Sequence, residues 1–357
     1  MQACRLYYEL GETQERIAEI LRVTRPQVSR MLKEARAEGI VEIRVIDTAS
    51  RSAELTQALC ERFNLHSVHL APRLAGPSDL TRRMIGRVAA NVLRDHLRDG
   101  HLVGVGGGMT IAAVADAFAD TPTRYAITVV PLAGGGMSAP SRDPVRRIAE
   151  LLGGYAMEVF APGIVHDRIA RHAILSSANA RNVTNAWAQL DVAVFGVGAY
   201  LRSETWFGAD VVAEVEAAGA VGEILIRPFD IDGNFVVSRL NELVVGLDPH
   251  ELGRVPVSIA AAGGPDKVEP VLGILRARVA NVLVTDEVTA ADVLELDDAQ
   301  RRGRATDAQA RRRAPDVDAQ QDGRGELDDG DATRPDTAAS ESATAEGGHR
   351  AAGLSDG

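Results

Sequence analysis

The stretch TRPQVSRMLKEAR, residues 24 to 36, carries two sets of side chains at helical spacing. Val28, Met31, Leu32 and Ala35 recur at i, i+3, i+4 and i+7, the pattern of a buried stripe. Arg25, Gln27, Ser29, Arg30, Lys33 and Arg36 fall on the other side. Arg makes paired hydrogen bonds to guanine and Gln to adenine, while further cations hold phosphates. On this pattern Arg25, Gln27 and Arg30 suit base edges, and Lys33 and Arg36 suit the backbone. Thr24 and Ser29 complete the candidate contact set. The alternative is a helical hairpin with a solvated, salt-laced outer face.

A second chemistry lies further along. Gly106-Gly107-Gly108-Met109-Thr110 precedes the apolar helix pattern IAAVADAFA. Glycines let backbone N–H groups approach an anion, and a helix start favours negative charge. The loop lacks the spacing of a dinucleotide fingerprint and the Gly-Lys-Ser/Thr of a P-loop. A plain strand-to-helix turn fits it as well. Lys267 follows Gly263-Gly264-Pro265-Asp266, with Asp266 and Glu269 at capping-box spacing. A cation in a first helical turn opposes the helix dipole by up to about 1 kcal/mol, a penalty that an anionic ligand reverses. Otherwise Lys267 extends to solvent. Asp230 and Asp232, in FDIDG, are turn residues or acceptors for sugar hydroxyls, and Asp230 is the better ligand candidate. Asp286 is placed to cap the helix EVTAADVL.

These side chains need elements to hold them. Thr13 caps a first helix through Ile17, Ala18 and Leu21, and a break at residues 21–23 follows. Thr24 opens the second helix, with Gln27 at capping-box spacing and Pro26 in the first turn. Gly39 is placed to end it, and Val41, Ile43 and Val45 then alternate as a strand or wing. Two helices joined by a tight break describe a helix-turn-helix. From residue 52 to about 297, apolar runs alternate with helical patterns: LVGVGGGMT, ITVVPLAGGG, DVAVFGVG, GEILIRPFDIDG, VPVSIAAAGGPDK and NVLVTDE. Unalternating runs read as strands buried on both faces, hence a parallel sheet flanked by helices. Ligands of such sheets sit beyond the carboxyl ends of the strands, where the glycines and ionisable groups fall here.

The 357-residue chain has a formal net charge of −11, the wrong sign for a nucleic-acid binder taken whole. Residues 22 to 36 nevertheless hold five basic side chains and one acid. At ~150 mM salt the Debye length is about 8 Å, so distant acids are largely screened. Lysine occurs only at 33 and 267, and the remaining side-chain cations are Arg and His. Cys4 and Cys60 form neither a disulfide framework nor a metal-ligand spacing, and no apolar run spans a bilayer. The expectation is a cytoplasmic protein with no cofactor and no metal. From Asp298 the composition turns to Asp, Arg, Ala, Gly and Ser, which reads as a disordered tail over 298–357.

Together these segments resemble the SorC family of sugar-binding transcriptional regulators. LYYELGETQERIAEILRVTRPQVSRMLKEARAEGIVEIRV is similar to that family's DNA-binding head. GGGMT, PLAGG, APGIV, DVAVFGVG, GAVGEI, FDIDG, AAGGPDK and NVLVTDEVTA follow in its order. The resemblance covers about residues 4 to 296. It implies an α/β protein with a helix-turn-helix head, winged or simple, over residues 1–47. It also implies a doubly wound, mainly parallel, Rossmann-like sheet over 52–297, resembling sugar-phosphate isomerases, for effector binding and oligomerisation. Its effector would be a phosphorylated sugar that controls operator affinity, and the assembly a homodimer or homotetramer. The effector-binding set carried over is Gly107, Gly108, Thr110, Gly135, Asp230, Gly264 and Lys267. Arg22 occupies a turn position where the family usually has Gly, so a left-handed turn there costs roughly 1 kcal/mol. A sugar-phosphate isomerase or deaminase with a regulatory head is the competing reading. Against it, His166 and His172 read as surface residues, and no general base stands out at the strand ends.

Overall fold

The structure, a computed structural model, describes residues 1–37, 40–41, 49–72, 78–119, 123–135, 143–199 and 209–313. The head comprises α1 (Gln2–Cys4), continued by a π turn over Arg5–Glu9, then α2 (Gln14–Leu21) and α3 (Arg25–Ala37). Ala3, Cys4, Ile17, Ala18, Val28, Leu32 and Ala35 form its core. Met31, expected in that core, is 39% exposed. Among the described residues the short helices α1 and α2 pack on α3 and bury a narrow i, i+4, i+7 stripe that leaves Met31 at its edge. Gly39 and most of the expected wing, residues 42–48, lie outside the described residues.

Beyond α4 (Ala49–Phe63), strands and helices alternate. They run β1 (Ser67–Ala71), α5 (Ser78–His96), β2 (Leu102–Val105), α6 (Met109–Asp116), β3 (Thr128–Pro131), α7 (Pro144–Leu152) and β4 (Tyr155–Ala156). Then come α8 (Arg168–Leu175), α9 (Ala178–Trp187), β5 (Val192–Gly196), β6 (Gly198–Ala199), α10 (Ala209–Ala217), β7 (Ala220–Ile224) and β8 (Arg227–Asp230). The last elements are α11 (Pro249–Leu252), β9 (Val257–Ala261), α12 (Val268–Ala277), β10 (Val282–Asp286) and α13 (Glu287–Arg313).

Among the described residues seven strands form one parallel sheet in the order β1-β10-β9-β5-β2-β3-β4. The order reverses between β2 and β5, the switch point of a doubly wound sheet. Alternate strand residues feed two cores. Val103, Val105, Val129, Val192, Val194, Ile259 and Val284 pack on one face with α5, α6 and α7. Val130, Ala193, Phe195, Ala260 and Leu283 pack on the other with α4, α9 and α12. Burial on both faces explains why these strands read as unbroken apolar runs.

Two expectations change. GEILIRPFDIDG is not one parallel strand: it is the antiparallel pair β7–β8, which with β6 makes a separate three-stranded sheet. Its turn is Leu225-Ile226, both at positive φ (48° and 67°), a conformation for which the sequence offers no Gly or Asn. The tail expected to be disordered from Asp298 instead continues α13 to Arg313. Ala, Arg and Gln favour helix, and ion pairs of the buried Asp297 with Arg276 and Arg301 replace the missing apolar anchors. The rest of the expected tail, residues 314–357, lies outside the described residues. No helix among the described residues is long and apolar enough to cross a membrane.

Candidate functional site

In the head, the Thr13 hydroxyl accepts the Arg16 N–H at 3.2 Å and starts α2. Arg22 ends it in the left-handed region (φ 55°, ψ 42°), as its turn position requires. Half of the capping box at Thr24 forms: Gln27 Oε1 accepts the Thr24 N–H at 2.8 Å and the Thr24 hydroxyl at 3.0 Å, while the Gln27 N–H bonds the Thr24 carbonyl at 2.9 Å. That geometry restricts Gln27. Its amide oxygen is committed to the cap, so a two-point contact to adenine, which needs both oxygen and nitrogen, would break the helix start. Arg25 is also engaged, its Nε lying 2.8 Å from Glu15 Oε1 on α2. Ser29, Arg30 and Lys33 are exposed along the same helix. The side chain of Arg36 lies outside the described residues. The outward face is therefore polar and basic, on a helix locked at its start and steered by α2.

The second site lies at the sheet's switch point. Gly106, just past β2, donates its N–H to Val194 O of β5 at 2.9 Å. A Cβ placed on Gly196 would lie 3.7 Å from Gly107 O and 4.0 Å from Ala261 O, so the loops after β2, β5 and β9 converge. Gly108 caps α6 at φ 97° with no side chain on the helix start, and Gly107, Gly108 and Met109 are exposed there. Thr110 is half-buried in the first turn. Backbone N–H groups at an uncapped helix start make a cradle for an anion.

Lys267 closes the short 3-10 turn Pro265–Lys267, its N–H bonded to Gly264 O at 2.9 Å. The expected capping box of Asp266 and Glu269 does not form. Lys267 itself is the N-cap residue of α12, because the 3-10 turn displaces the helix start past Asp266. Within electrostatic reach of Lys267 is Glu223 of β7, an acid not among the candidates named from the sequence. Burial pushes its carboxyl up, while the Ile226 N–H and the charge of Lys267 pull it back. Its Oε2 accepts the Ile226 N–H at 2.9 Å, and a Cβ on Gly198 would stand 2.1 Å from Oε1. An acid and a base thus come within electrostatic reach of each other. The signal in the sequence was one carboxylate inside the apolar run AVGEI.

Three other candidates are turned to internal duties. Asp230 lies at the far end of the β7–β8 hairpin, paired with Ala220, whereas Glu223 pairs with Pro228 near the tip. Asp230 Oδ1 accepts the N–H groups of Asp232 and Asn234 at 2.9 Å each, and Oδ2 accepts Asn234 Nδ2 at 3.0 Å. Its backbone packs against Gly273, well along α12 from Lys267, so the structure does not bring the two together. The Gly135 N–H bonds Ala161 O at 2.8 Å, and its carbonyl accepts the Gly163 N–H at 3.1 Å. The Gly264 N–H is taken by Asp286 and Thr289. His166 and His172 are exposed, as expected.

Residues 47–295 match the family described as "Putative sugar-binding domain". The chain is 29% identical over 302 residues to the deoxyribonucleoside regulator of Bacillus subtilis, covering 81% of this chain and 95% of that one. It is 28% identical over 297 residues to the transcriptional regulator LsrR of Escherichia coli, covering 81% and 92%. The crystal structure of the full-length sorbitol operon regulator SorC from Klebsiella pneumoniae superposes with a TM-score of 0.66 at 26% identity, covering 82% and 97%. A transcriptional regulator from Streptococcus pneumoniae gives 0.64 at 27% identity, covering 71% and 100%.

Proposed function

The chain belongs to the SorC family of transcriptional regulators built on that sugar-binding domain, and from this premise we propose that it is a cytoplasmic, sugar-phosphate-responsive repressor or activator. The head, residues 1–47, docks α3 in the major groove of operator DNA. Arg30 and Arg25 reach base edges; Thr24, Ser29, Lys33 and Arg36 hold the backbone; Gln27 fixes the start of the helix. Residues 52–297 bind the effector and assemble the chain as a homodimer or homotetramer.

The observation that carries the reading is the uncapped start of α6 at the sheet's switch point, where the loops after β2, β5 and β9 converge and the loop after β9 leads to Lys267. A phosphorylated sugar matches that set. Its phosphate takes the N–H groups of Gly107, Gly108 and Thr110 with the charge of Lys267, and Glu223 accepts from hydroxyls. Gly135, Asp230 and Gly264 shape the surrounding loops through their internal bonds. The effector shifts operator affinity by the ratio of its affinities for the two DNA-binding states, and DNA shifts effector affinity by the same factor.

The test is binding of purified protein to its own upstream DNA at low salt, titrated with fructose, glucosamine and ribose phosphates. Protection that shifts with one of them, and a shift lost in Lys267→Ala, is the expected outcome. No protection under any condition refutes the reading. Glu223 within electrostatic reach of Lys267 is also a combination that an isomerase would use as base and electrostatic partner. Turnover of those sugar phosphates that Lys267→Ala abolishes would make the chain an enzyme with a regulatory head. We take the pair as ligand-holding, not catalytic.

A further inference from the structure

Asp286 stands where β10 meets α13 and is 4% exposed; Thr289, one turn on, is 1% exposed. As a helix cap Asp286 needs one oxygen, and Oδ1 supplies it, accepting the N–H groups of Val288 at 3.1 Å and Thr289 at 3.0 Å. The other oxygen serves a different loop. Oδ2 accepts the Thr289 hydroxyl at 2.6 Å and the Gly264 N–H at 2.8 Å. Thr289 Oγ1 shares that same N–H, also at 2.8 Å. The loop is pressed onto the carboxylate: a Cβ on Gly263 would lie 2.3 Å from Oδ2. Gly264, at φ 110°, then receives the Lys267 N–H on its carbonyl. One residue is therefore pinned from β10–α13 on one side and anchors the turn carrying Lys267 on the other.

We infer that Asp286 and Thr289 are positioning residues for Lys267, acting through Gly264 to fix the turn that carries its ammonium. A cap alone leaves Oδ2 and the threonine hydroxyl without a task. A buried carboxylate is retained where its acceptors are filled, and here the loop fills them. The inference deepens the proposed effector site and rests on that reading for its ligand consequences, but not for its geometry.

Lys33 and Lys267 are the only lysines, so amine labelling followed by peptide mass spectrometry compares Lys267 with an internal standard in the head. Thr289→Val keeps the shape and removes the hydroxyl; Thr289→Ser keeps the hydroxyl. With the full chain, Thr289→Val is expected to raise Lys267 labelling relative to Lys33 severalfold, and Thr289→Ser to leave the ratio near wild type. Where a sugar phosphate binds, Thr289→Val weakens it about tenfold, the scale of one lost hydrogen bond. Equal Lys267 labelling in Thr289→Val and wild type overturns the inference. In the unmutated protein, the Gly264 amide is expected to exchange slowly with deuterium; fast exchange overturns the inference without any variant. If no sugar phosphate binds the wild type, the effector reading fails while labelling and exchange still decide the positioning role.

Discussion

Asp297 of α13 is 1% exposed and receives guanidinium groups from three helices. Arg276 Nη2 of α12 and Arg301 Nε of α13 each approach to 2.6 Å, and Arg62 Nη1 of α4 to 3.3 Å. Burial pulls the carboxyl up, but the bonds and charges of Arg276 and Arg301 hold it below the usual range. Consider Asp297→Asn, which keeps the shape and removes the charge. Breaking a buried pair from one side costs about 3–5 kcal/mol. Two features lower that figure here. The Arg301 side chain is 60% exposed and its i,i+4 pair contributes only about 0.3–0.5 kcal/mol. Arg276 keeps Ile231 O at 3.0 Å and Gln300 at 2.7 Å, so it is not orphaned. The expected loss is about 2–3 kcal/mol, the value of one charged hydrogen bond plus a misplaced amide donor. Urea unfolding at pH 7 by circular dichroism reads it as a lower midpoint at unchanged slope. A carboxyl depressed in the folded state adds stability that is complete above its unfolded value, about 3.9, and that fades as pH falls through the folded one. The wild-type and variant stabilities therefore converge below about pH 4. A loss under about 0.5 kcal/mol, the level of surface pairs, or a gap that persists unchanged in acid, refutes the account.

Arg22→Gly relieves a left-handed residue worth about 1–2 kcal/mol but adds backbone freedom to the unfolded chain, for a net gain of about 0.5–1 kcal/mol. Slower amide exchange in α2 and α3 checks it, and unchanged or faster exchange contradicts it. Gln27→Ala removes the cap and costs about 0.5–1 kcal/mol of head stability, while Gln27→Glu restores it. Base preferences selected from random operator libraries stay unchanged in Gln27→Ala; loss of preference at one adenine would show that Gln27 reads a base after all. Gly198→Ala drives a methyl into Glu223 Oε1, freeing the Ile226 N–H. A loss of about 1–3 kcal/mol in thermal stability and loss of the sugar-phosphate thermal shift are expected. A wild-type response would place Glu223 outside the effector site.

The features legible in the sequence were those set by neighbours in the chain. Thr13, Thr24 and Gln27 act within one helical turn, and Arg22 occupies a position whose backbone angle is fixed by the helices on either side. The glycine loops at 106–108 and 263–264 end strands whose apolar runs announce burial on both faces, so the parallel sheet followed. What escaped depended on contacts formed at a distance. Leu225 and Ile226 adopt a turn that their own chemistry disfavours, held by the Glu223 carboxylate three residues away and packed beneath by Gly106 and Gly163. No turn residue marks it, and the hairpin therefore read as a strand. With the hairpin hidden, Glu223 had no visible reason to come within reach of Lys267, and FDIDG, the more conspicuous acid motif, supplied the acid candidate. The residues past Asp298 failed in the same way: composition predicts disorder where no apolar anchor exists, but Asp297 supplies an ionic one to helices distant in sequence. Local rules thus locate the loops of the candidate site, while the placement of Glu223 near them depends on a hairpin whose turn is strained. A turn that costs of order 1–3 kcal/mol per strained residue persists only when its surroundings determine it. Here those surroundings are the Glu223 carboxylate and the loops carrying Gly106 and Gly163, which ties the strain at Leu225-Ile226 to the placement of Glu223.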